Sequence, residues 1–354
     1  MTNHTPQIIR RQSRKIMVGN VAVGGDAPIT VQSMTNTLTS DAKATIEQIQ
    51  RQEAAGCDIT RCSCPDEDSA RALKAITKAV NIPVVADIHF DYRLGILAAE
   101  NGAACLRINP GNIGGAERVK AVVKAAKDYG CSIRIGVNAG SLEQDIAERD
   151  ELTQPEKLVM SSERFVKHFE DRGFTNIVLS AKAHSVQTTL DTYRALSREI
   201  SHVPLHLGVT EAGTMYGGLI KSSAGIGALL LDGIGDTIRV SLTADPVEEP
   251  RAGIELLKAV GLRNDGIKFV SCPSCGRCRI NQVEIANKVE KALSGVNKNI
   301  TVAVMGCAVN GPGEAKNADI GVAGGDGCAI LFKKGEIIRK IREDEITEVL
   351  LKEI

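Results

Sequence analysis

Aromatic side chains are scarce in this sequence of 354 residues: Phe, Tyr and Trp together make up 3%, and Trp is absent. Proteins that bind single-stranded nucleic acid usually stack the bases on aromatic rings, so this class is disfavoured. Lys and Arg together number 43, and Asp and Glu together also number 43, so the formal net charge is zero. A dedicated nucleic-acid or membrane-surface binder would carry a clear excess of positive charge. The composition therefore predicts an aliphatic core, no nucleic-acid partner and no membrane partner.

Long apolar runs are lacking too, because no window reaches the 18 or so uninterrupted apolar residues of a membrane-spanning helix. The basic segment RRQSRK (10–15) lacks the apolar stretch that follows in export signals, and we interpret it as a solvated basic lead-in. We expect a cytoplasmic protein, in which ten cysteines serve as thiols or metal ligands rather than as disulfides. Five of them lie in strand-like apolar runs and are expected to be buried: Cys57, Cys62, Cys64, Cys105 and Cys131.

Short β-rich runs recur eight times over the first 260 residues, each followed by a segment with helical apolar spacing. The runs are ITVQSM (29–34), DITRCS (58–63), IPVVADIH (82–89), CLRINP (105–110), SIRIGVNA (132–139), NIVLSAKA (176–183), PLHLGVTE (204–211) and DTIRVSLTA (236–244). This alternation predicts an α/β fold with a parallel sheet, and eight units favour a (β/α)₈ TIM-like barrel over an open doubly wound sheet. The Gly-rich dinucleotide fingerprint that often follows the first strand of an open sheet is absent.

Polar side chains occur at or just past the ends of these runs, where the chemistry of such barrels gathers. They are Arg61, Asp87, His89, Arg107, Asn109, Arg134, Asn138, Lys182, Glu211, Arg239 and Ser241. Four Arg and one Lys that converge on one opening indicate an anionic ligand with several oxygens, such as a diphosphate. The alternative is internal ion pairing of these cations with Asp87, Glu211 and Asp245. The Gly-rich segment RINPGNIGG (107–115) offers further backbone N–H groups to an anion.

The last quarter of the chain predicts a small α/β domain, so we divide the chain into a barrel domain, 1–262, and a second domain, 263–354. The segment SCPSCGRC (271–278) sets Cys272, Cys275 and Cys278 at three-residue intervals. In GCAVNGPGEA (306–315), Cys307 follows an apolar strand, and a rigid Gly-Pro-Gly turn precedes Glu314. Cys272, Cys275, Cys307 and Glu314 therefore form a plausible four-ligand set, with Cys278 as an alternative ligand.

The ligand types of this set favour an iron–sulfur cluster, because three thiolates with one weaker, replaceable ligand suit a [4Fe–4S] cluster. A zinc ribbon usually shows two CxxC pairs, or Cys combined with His. Here no His lies beyond residue 206 and no separate second CxxC pair is present. A zinc-stabilised, non-catalytic barrel protein is the alternative.

The whole chain resembles the 4-hydroxy-3-methylbut-2-en-1-yl diphosphate synthase family in its bacterial two-domain form. The resemblance is carried by VQSMTNT, VADIHFDYR, LRINPGNIG, IRIGVNAGSLE, LHLGVTEAG, IGDTIRVSLTADP, CPSCGR and NGPGEA. It implies reductive dehydration and ring opening of 2-C-methyl-D-erythritol 2,4-cyclodiphosphate to 4-hydroxy-3-methylbut-2-enyl diphosphate, a step of isoprenoid precursor biosynthesis. Two electrons would enter from flavodoxin or ferredoxin through a [4Fe–4S] cluster.

The resemblance also implies roles for individual residues. The family's cluster ligands fall on Cys272, Cys275, Cys307 and Glu314, which leaves Cys278 as an additional thiol. Beyond the resemblance, we hypothesise that Glu314 donates the proton for the hydroxyl that leaves. The matching diphosphate positions are Arg61, Arg107, Arg134, Lys182, Arg239 and Ser241, with Asn109 and Asn138 nearby. Asp87, His89 and Glu211 match positions near the substrate's carbon skeleton, and Asn310 matches one close to the cluster. A homodimer, in which one subunit's cluster domain covers the other's barrel, is implied as well.

Overall fold

The chain forms two compact units, one ending at Leu262 and the other beginning at Arg263. The computed structural model describes residues 8–293, 296, 298–308, 313 and 315–354. No helix in these stretches is long and apolar enough to cross a membrane.

Eight parallel strands form the barrel of the first unit, in the order β8-β7-β6-β5-β4-β3-β10-β9. They are β3 Thr30–Met34, β4 Ile59–Ser63, β5 Val84–Ile88, β6 Cys105–Ile108, β7 Ser132–Asn138, β8 Ile177–Lys182, β9 His206–Leu207 and β10 Thr237–Ile238. A parallel bridge between Leu179 and Leu205 links the two ends of this series, so the barrel is nearly closed. All eight predicted runs form strands, which confirms the TIM-like barrel. The last two strands are much shorter than their runs.

Helices follow the strands and cover the barrel. They are α1 Ala42–Ala54, α2 Glu67–Ala79, α3 Tyr92–Glu100, α4 Pro110–Ile113, α5 Ala116–Asp128, α6 Gln144–Ala147, α7 Gln154–Glu170, α8 Val186–Glu199, α9 Met215–Leu231 and α10 Glu248–Ala259. Local chemistry sets their ends: the Asp41 side chain accepts a hydrogen bond from Ala44 N at the start of α1. Gly56, with φ of 85°, allows the left-handed turn after its end.

Side-chain alternation along the strands separates an apolar outer face from a polar interior. On β6, Leu106 and Ile108 belong to the apolar core, while Arg107 between them points to the other face. On β7, Ile133 and Ile135 likewise flank Arg134. The helices therefore pack on aliphatic side chains, and the charged residues line the inside of the barrel.

A β-hairpin that the sequence did not predict covers the amino end of the barrel. Its strands are β1 Ile16–Val18 and β2 Val21–Val23, which pair antiparallel. They pack on apolar residues of the barrel strands: Ile59, Val85, Cys105 and Val178. This end of the barrel is therefore filled with apolar side chains, and the polar interior opens toward the carboxyl ends of the strands.

The basic segment 10–15 is bound to the barrel, so its interpretation as a solvated lead-in was wrong. Arg10, Arg11 and Ser13 all donate hydrogen bonds to the buried carboxylate of Asp236. The same carboxylate accepts from Leu205 N at 2.8 Å. Asp236 directly precedes β10, so this network ties the start of the chain to the last two barrel strands.

Within its described residues, the second unit contains a five-stranded sheet in the order β11-β12-β13-β14-β15 and two α-helices that pack on it. Its elements are β11 Ile267–Ser271, α11 Gln282–Leu293, β12 Ile300–Met305, β13 Ile320–Gly325, β14 Cys328–Lys333, β15 Glu336–Arg342 and α12 Ile346–Glu353. Strands β11 to β13 are parallel, and β14 and β15 are antiparallel additions. The sequence predicts the strands KFVSC, ITVAVMGC, ADIGVAGG and CAILFKKGE and the helix NQVEIANKVEKAL, to which the structure adds β15 and α12. β15 is an exposed edge strand rich in charge, which hides its strand character in the sequence.

Candidate functional site

The five predicted cations lie close enough together inside the barrel for their charges to interact. The positive charges of the other four, Arg61, Arg107, Arg134 and Arg239, each lower the pKa of Lys182. Arg134 lies deeper than its predicted place at a strand end, because it is only the third of the seven residues of β7 and is 4% exposed. The interior is lined by alternate residues of each strand, so the cations occupy more than one level.

Asp87 is the carboxylate at the centre of this group, and it is 3% exposed. Its Oδ1 accepts a hydrogen bond from Arg107 Nη1 at 3.3 Å, and its Oδ2 lies 3.8 Å from Arg61 Nε. The ring nitrogen Nε2 of His89 lies 3.6 Å from the same Oδ2. Burial raises the pKa of Asp87, but Arg61, Arg107 and His89 outweigh it and hold the pKa below its ordinary value. Asp87 is therefore an ionised, buried carboxylate.

Glu249 is a second buried carboxylate, and sequence reasoning missed it. It lies in the first turn of α10 and is 2% exposed. Its two oxygens accept hydrogen bonds from Nε and Nη2 of Arg239 at 3.0 and 2.9 Å, a bidentate pair. Ser33 Oγ and Leu242 N also donate to it.

Internal pairing thus accounts for only part of the cation group. The proposed partner Asp87 is confirmed, but Asp245 was wrong, because it pairs with the exposed Arg51. In the part of the chain that the structure describes, four guanidinium groups face two carboxylates even before Lys182 is counted. Two donors of the buried Arg134, Nε and Nη2, have no hydrogen-bond partner among the described groups. The interior is therefore a site of excess positive charge and unused donors.

The excess charge shows in the acid–base properties of the cations. Burial, together with the neighbouring Arg239, Arg134 and Arg107, lowers the pKa of Arg61 to about 9 against the opposing effect of Asp87. Burial and the neighbouring Arg107 lower the pKa of Arg134 to about 10. Burial followed by the repulsion of the four guanidinium groups lowers the pKa of Lys182 well below its usual range. Such shifts are relieved when an anion enters.

Two glycines make room for these cations. A Cβ on Gly136 would lie 2.7 Å from Nη2 of Arg107, and one on Gly208 would lie 2.9 Å from Nζ of Lys182. Nη2 of Arg107 also donates to Asn138 Oδ1 at 3.0 Å, in the amide orientation that satisfies both ends of that side chain. Hydrogen bonds to Asp87 and Asn138 therefore hold the guanidinium group of Arg107, and the absence of a side chain at Gly136 leaves room for it.

Three further residues of the barrel interior were not singled out from the sequence, namely Met34, Gln32 and His206. Met34 Sδ accepts from Arg61 Nη2 at 2.8 Å, and Arg239 Nη1 lies 3.7 Å from the same sulfur. Gln32 Oε1 accepts from Arg134 Nη1. His206 is fully buried on β9, and burial followed by the field of Arg134 lowers its pKa well below the usual value. Gln32 and Met34 could have been predicted to face the interior, because they occupy alternate positions of β3 and alternate residues of a strand point to the same face.

The other predicted polar residues lie around the rim. Asn109 is buried with both amide ends used: Nδ2 donates to Ser141 Oγ at 2.7 Å, and Oδ1 accepts from Gly111 N at 3.1 Å. Ser241 is half-buried, three residues past β10, and the His89 side chain is 42% exposed. Glu211 is exposed four residues past β9, with φ of 54°. This left-handed conformation is uncommon for Glu.

In the second unit, two predicted ligands lie at one edge of the sheet. Cys272 directly follows β11, and Cys307 lies two residues past β12. These strands are parallel neighbours, with Ser271 opposite Val304. Cys272 Sγ accepts hydrogen bonds from Gly306 N at 3.3 Å and from Gln282 Nε2 at 3.2 Å.

The other cysteines of the motif differ from one another. Cys275 is exposed, and hydrogen bonds from Arg277 lower the pKa of its thiol. Cys278 Sγ donates to Ile280 O at 3.1 Å. Among the described residues, no three His, Cys, Asp or Glu side chains converge as a metal site. The predicted residues Asn310 and Glu314 lie outside the described residues.

The predicted ligands nevertheless fit an iron–sulfur cluster. The donor set is thiolate-rich, and N–H donors to a ligand sulfur are one of the features by which proteins tune such clusters.

The buried cysteines Cys57, Cys62, Cys64, Cys105 and Cys131 are confirmed as core residues of the barrel unit.

Family models match both units of the chain. The GcpE TIM-barrel domain matches residues 13–254, and the GcpE protein C-terminal domain matches residues 268–354. The chain belongs to the GcpE family.

Curated relatives carry the name 4-hydroxy-3-methylbut-2-en-1-yl diphosphate synthase (flavodoxin), in agreement with the resemblance seen in the sequence motifs. The Clostridium acetobutylicum protein is 58% identical over 345 residues, which are 98% of this chain and 99% of the relative. The Clostridium tetani protein is 54% identical with the same coverage. The Geobacter sulfurreducens protein is 53% identical over 98% of both chains.

Solved structures with the same barrel come from another enzyme family. Dihydropteroate synthase from Yersinia pestis aligns with a TM-score of 0.51 and 15% identity over 70% of this chain and 98% of that chain. The Stenotrophomonas maltophilia dihydropteroate synthase aligns with a TM-score of 0.52 and 14% identity over 70% of this chain and 97% of that chain. At this identity the likeness shows the barrel fold alone.

Proposed function

We propose that this chain catalyses the reductive dehydration and ring opening of 2-C-methyl-D-erythritol 2,4-cyclodiphosphate to 4-hydroxy-3-methylbut-2-enyl diphosphate, with flavodoxin or ferredoxin as electron donor. The names of relatives up to 58% identical over nearly the full length support it. The observation that carries it is the barrel interior, where, among the described residues, four guanidinium groups and Lys182 face two buried carboxylates. A cyclic diphosphate supplies the negative charge and the acceptor oxygens that this interior lacks.

The diphosphate is bound by Arg61, Arg107, Arg134, Lys182 and Arg239, with Ser241 and Asn138 at the rim. The unpaired donors of Arg134 bind its oxygens, and the incoming negative charge raises the lowered pKa of Lys182. Asn109 acts indirectly, since its amide holds the loop after β6 against Ser141. Fixing the ring in this way replaces a random encounter with an oriented one.

The residues nearest the carbon skeleton are Asp87, His89 and Glu211. Asp87 stays ionised and orients Arg61 and Arg107. His89 and Glu211 are exposed enough to reach a ligand at the open end of the barrel.

The proposal assigns a [4Fe–4S] cluster to Cys272, Cys275, Cys307 and Glu314. When bound, the cluster would supply single-electron transfers and a Lewis-acidic iron. The overall reaction takes up two electrons, opens the ring at a carbon–oxygen bond to phosphate, and releases one hydroxyl oxygen as water. Glu314 donates the proton with which that hydroxyl leaves. Asn310, four residues before Glu314 in the sequence, contacts the substrate.

The proposal also includes a cytoplasmic homodimer in which the cluster domain of one subunit covers the barrel of the other. The ten cysteines, none of which is bridged, fit a reducing compartment. Sedimentation of the purified protein tests the dimer.

Anaerobic purification tests the function. We expect a brown protein with iron and acid-labile sulfide that converts the cyclic diphosphate when supplied with reduced flavodoxin. Cys275→Ser should lose iron and turnover, whereas Cys328→Ser, in the same unit, should keep both. A colourless protein that contains zinc would indicate a zinc-stabilised, non-catalytic barrel instead. Near-normal turnover of Glu314→Gln with an intact cluster would exclude Glu314 as the proton donor.

A further inference from the structure

Gln282, the first residue of α11, is a polar side chain buried beside a predicted cluster ligand, with 3% of its surface exposed. Its Nε2 lies 3.2 Å from Cys272 Sγ, 2.6 Å from Cys272 O and 3.1 Å from Ser271 Oγ. Its Oε1 lies 3.6 Å from Cys278 Sγ. A buried amide costs free energy unless it is hydrogen-bonded, and here the amino end has acceptors in Cys272 O and Ser271 Oγ.

The surroundings determine which way this amide points. Nε2 faces the backbone carbonyls of Cys272 and Val304, which accept hydrogen bonds and cannot donate them. Oε1 lies 3.6 Å from Cys278 Sγ, whose S–H has a nearer acceptor in Ile280 O at 3.1 Å. The two carbonyls therefore hold the amino group on the side of Cys272 Sγ.

Gly306 completes this arrangement. A Cβ at Gly306 would collide with Oε1 of Gln282 and would lie 2.8 Å from Cys278 Sγ, so a side chain there would displace the amide. The backbone N–H of Gly306 is itself the second donor to Cys272 Sγ. One sulfur thus has two N–H donors, one from the main chain and one from a buried side chain.

We propose that Gln282 is a positioning residue for the cluster, which holds the Cys272 thiolate and makes the cluster easier to reduce through an N–H···S hydrogen bond. This inference rests on the proposed function. Reduction adds negative charge to an iron–sulfur cluster, and a donor to a ligand sulfur stabilises the more negative state. The carbonyls of Cys272 and Val304 keep the Gln282 amide in the donating orientation.

Two variants of similar size test the role of the amide. Gln282→Met removes the donor and keeps the length of the side chain, and Gln282→Glu replaces the donor by a carboxylate. We expect the midpoint potential of the substrate-free protein to become more negative in Gln282→Met and still more negative in Gln282→Glu. At a fixed solution potential the ratio of reduced to oxidised cluster should fall by about threefold or more. A dye-mediated titration followed by electron paramagnetic resonance measures it, and resonance Raman spectra report the loss of the N–H···S bond as shifted Fe–S stretching bands.

Val283→Met is the matched control, because Val283 is the next residue of α11 and is 62% exposed. Its potential should equal that of the unmodified protein. Potentials unchanged in both Gln282 variants, with the cluster loaded, would overturn the inference, as would equal shifts in the control. If one Gln282 variant fails to fold, the other decides. If the unmodified protein holds no iron–sulfur cluster, the proposed function fails, which is a different result from a loaded cluster with an unshifted potential.

Discussion

The position of Arg107 depends on the missing side chain of Gly136. A Cβ at Gly136 would lie 2.7 Å from Arg107 Nη2 and closer still to Nε, so the guanidinium group occupies the space that any other residue would fill. The two residues lie on neighbouring strands, β6 and β7. A glycine in the middle of a strand weakens the strand, and here the empty space is used to seat a cation.

Gly136→Ala should therefore weaken substrate binding. The methyl group pushes the flexible guanidinium away from Asp87 and Asn138 while the fold is kept. Loss of one hydrogen bond to a charged group is worth about 1.5–3 kcal/mol, so KM for the cyclic diphosphate should rise by roughly 10- to 100-fold. Gly140→Ala is the control, since a Cβ at Gly140 meets no atom within 4 Å. An unchanged KM in Gly136→Ala would show that Arg107 does not bind the ligand.

Lys182→Met should stabilise the ligand-free protein. Folding lowers the pKa of Lys182, so the unfolded chain holds this proton more tightly and the folded state is penalised. The penalty is complete below the folded pKa and disappears as the pH rises to the unfolded value of about 10.4. The variant's Tm should thus exceed that of the unmodified protein at neutral pH, and the difference should narrow toward pH 10. A lower Tm at neutral pH would mean that Lys182 is paired in the free protein.

Binding of an anion should be accompanied by proton uptake at Lys182. The anion raises the depressed pKa of this amine, so affinity falls as the pH rises from the free to the bound value. Calorimetric titration with inorganic pyrophosphate, repeated in buffers of different ionisation enthalpy, measures the uptake. Lys182→Met should reduce it by roughly one proton or less. Equal uptake in both proteins would assign the proton to another group, with Arg61 next in order.

Glu249→Ala should destabilise the barrel. The change leaves Arg239 buried without its bidentate partner and removes one of the two acceptors of the Ser33 hydroxyl, which should cost about 3–5 kcal/mol of the free energy of unfolding. Glu248 is the matched control: it is the preceding residue, and its pair with Arg251 is largely exposed. Glu248→Ala should cost about 1 kcal/mol or less. Denaturant titration compares the two, and equal losses would contradict the role given to Glu249.

Asp236→Ala should destabilise the protein to a similar extent, by about 3–5 kcal/mol, because Arg10, Arg11 and the N–H of Leu205 all lose a buried acceptor. Asp232→Ala removes only an exposed pair with Arg194 and serves as control. Asp236 directly precedes β10, at the amino end of the barrel, so KM of the folded variant should be unchanged. A raised KM would show that the start of the chain reaches the substrate site.

Much of the fold was predictable because its signals are local. The β-rich runs and the helical spacing between them predicted all eight barrel strands, and five cations in apolar runs predicted the charged interior. The depth of Arg134 was not predictable from its run, because it depends on how the strands are staggered around the barrel.

The missed features join distant parts of the chain or lie in weak elements. Glu249 is one of two adjacent glutamates, and only the packing of α10 shows which of them is buried. Asp236 lies more than 200 residues from Arg10. The hairpin β1–β2 is built from strands of three residues, too short to show a period. Gln282 looks like any helix-starting residue until β11 and β12 bring Cys272 and Gly306 beside it.

The hairpin on the amino end of the barrel has a consequence for how ligands bind and dissociate. With β1 and β2 packed on Ile59, Val85, Cys105 and Val178, the polar interior is closed at the amino end of the barrel. Substrate and product therefore enter and leave through the same opening, at the carboxyl ends of the strands. Product must therefore dissociate before the next substrate molecule binds. A polyanion bound at this opening blocks both substrate binding and product release.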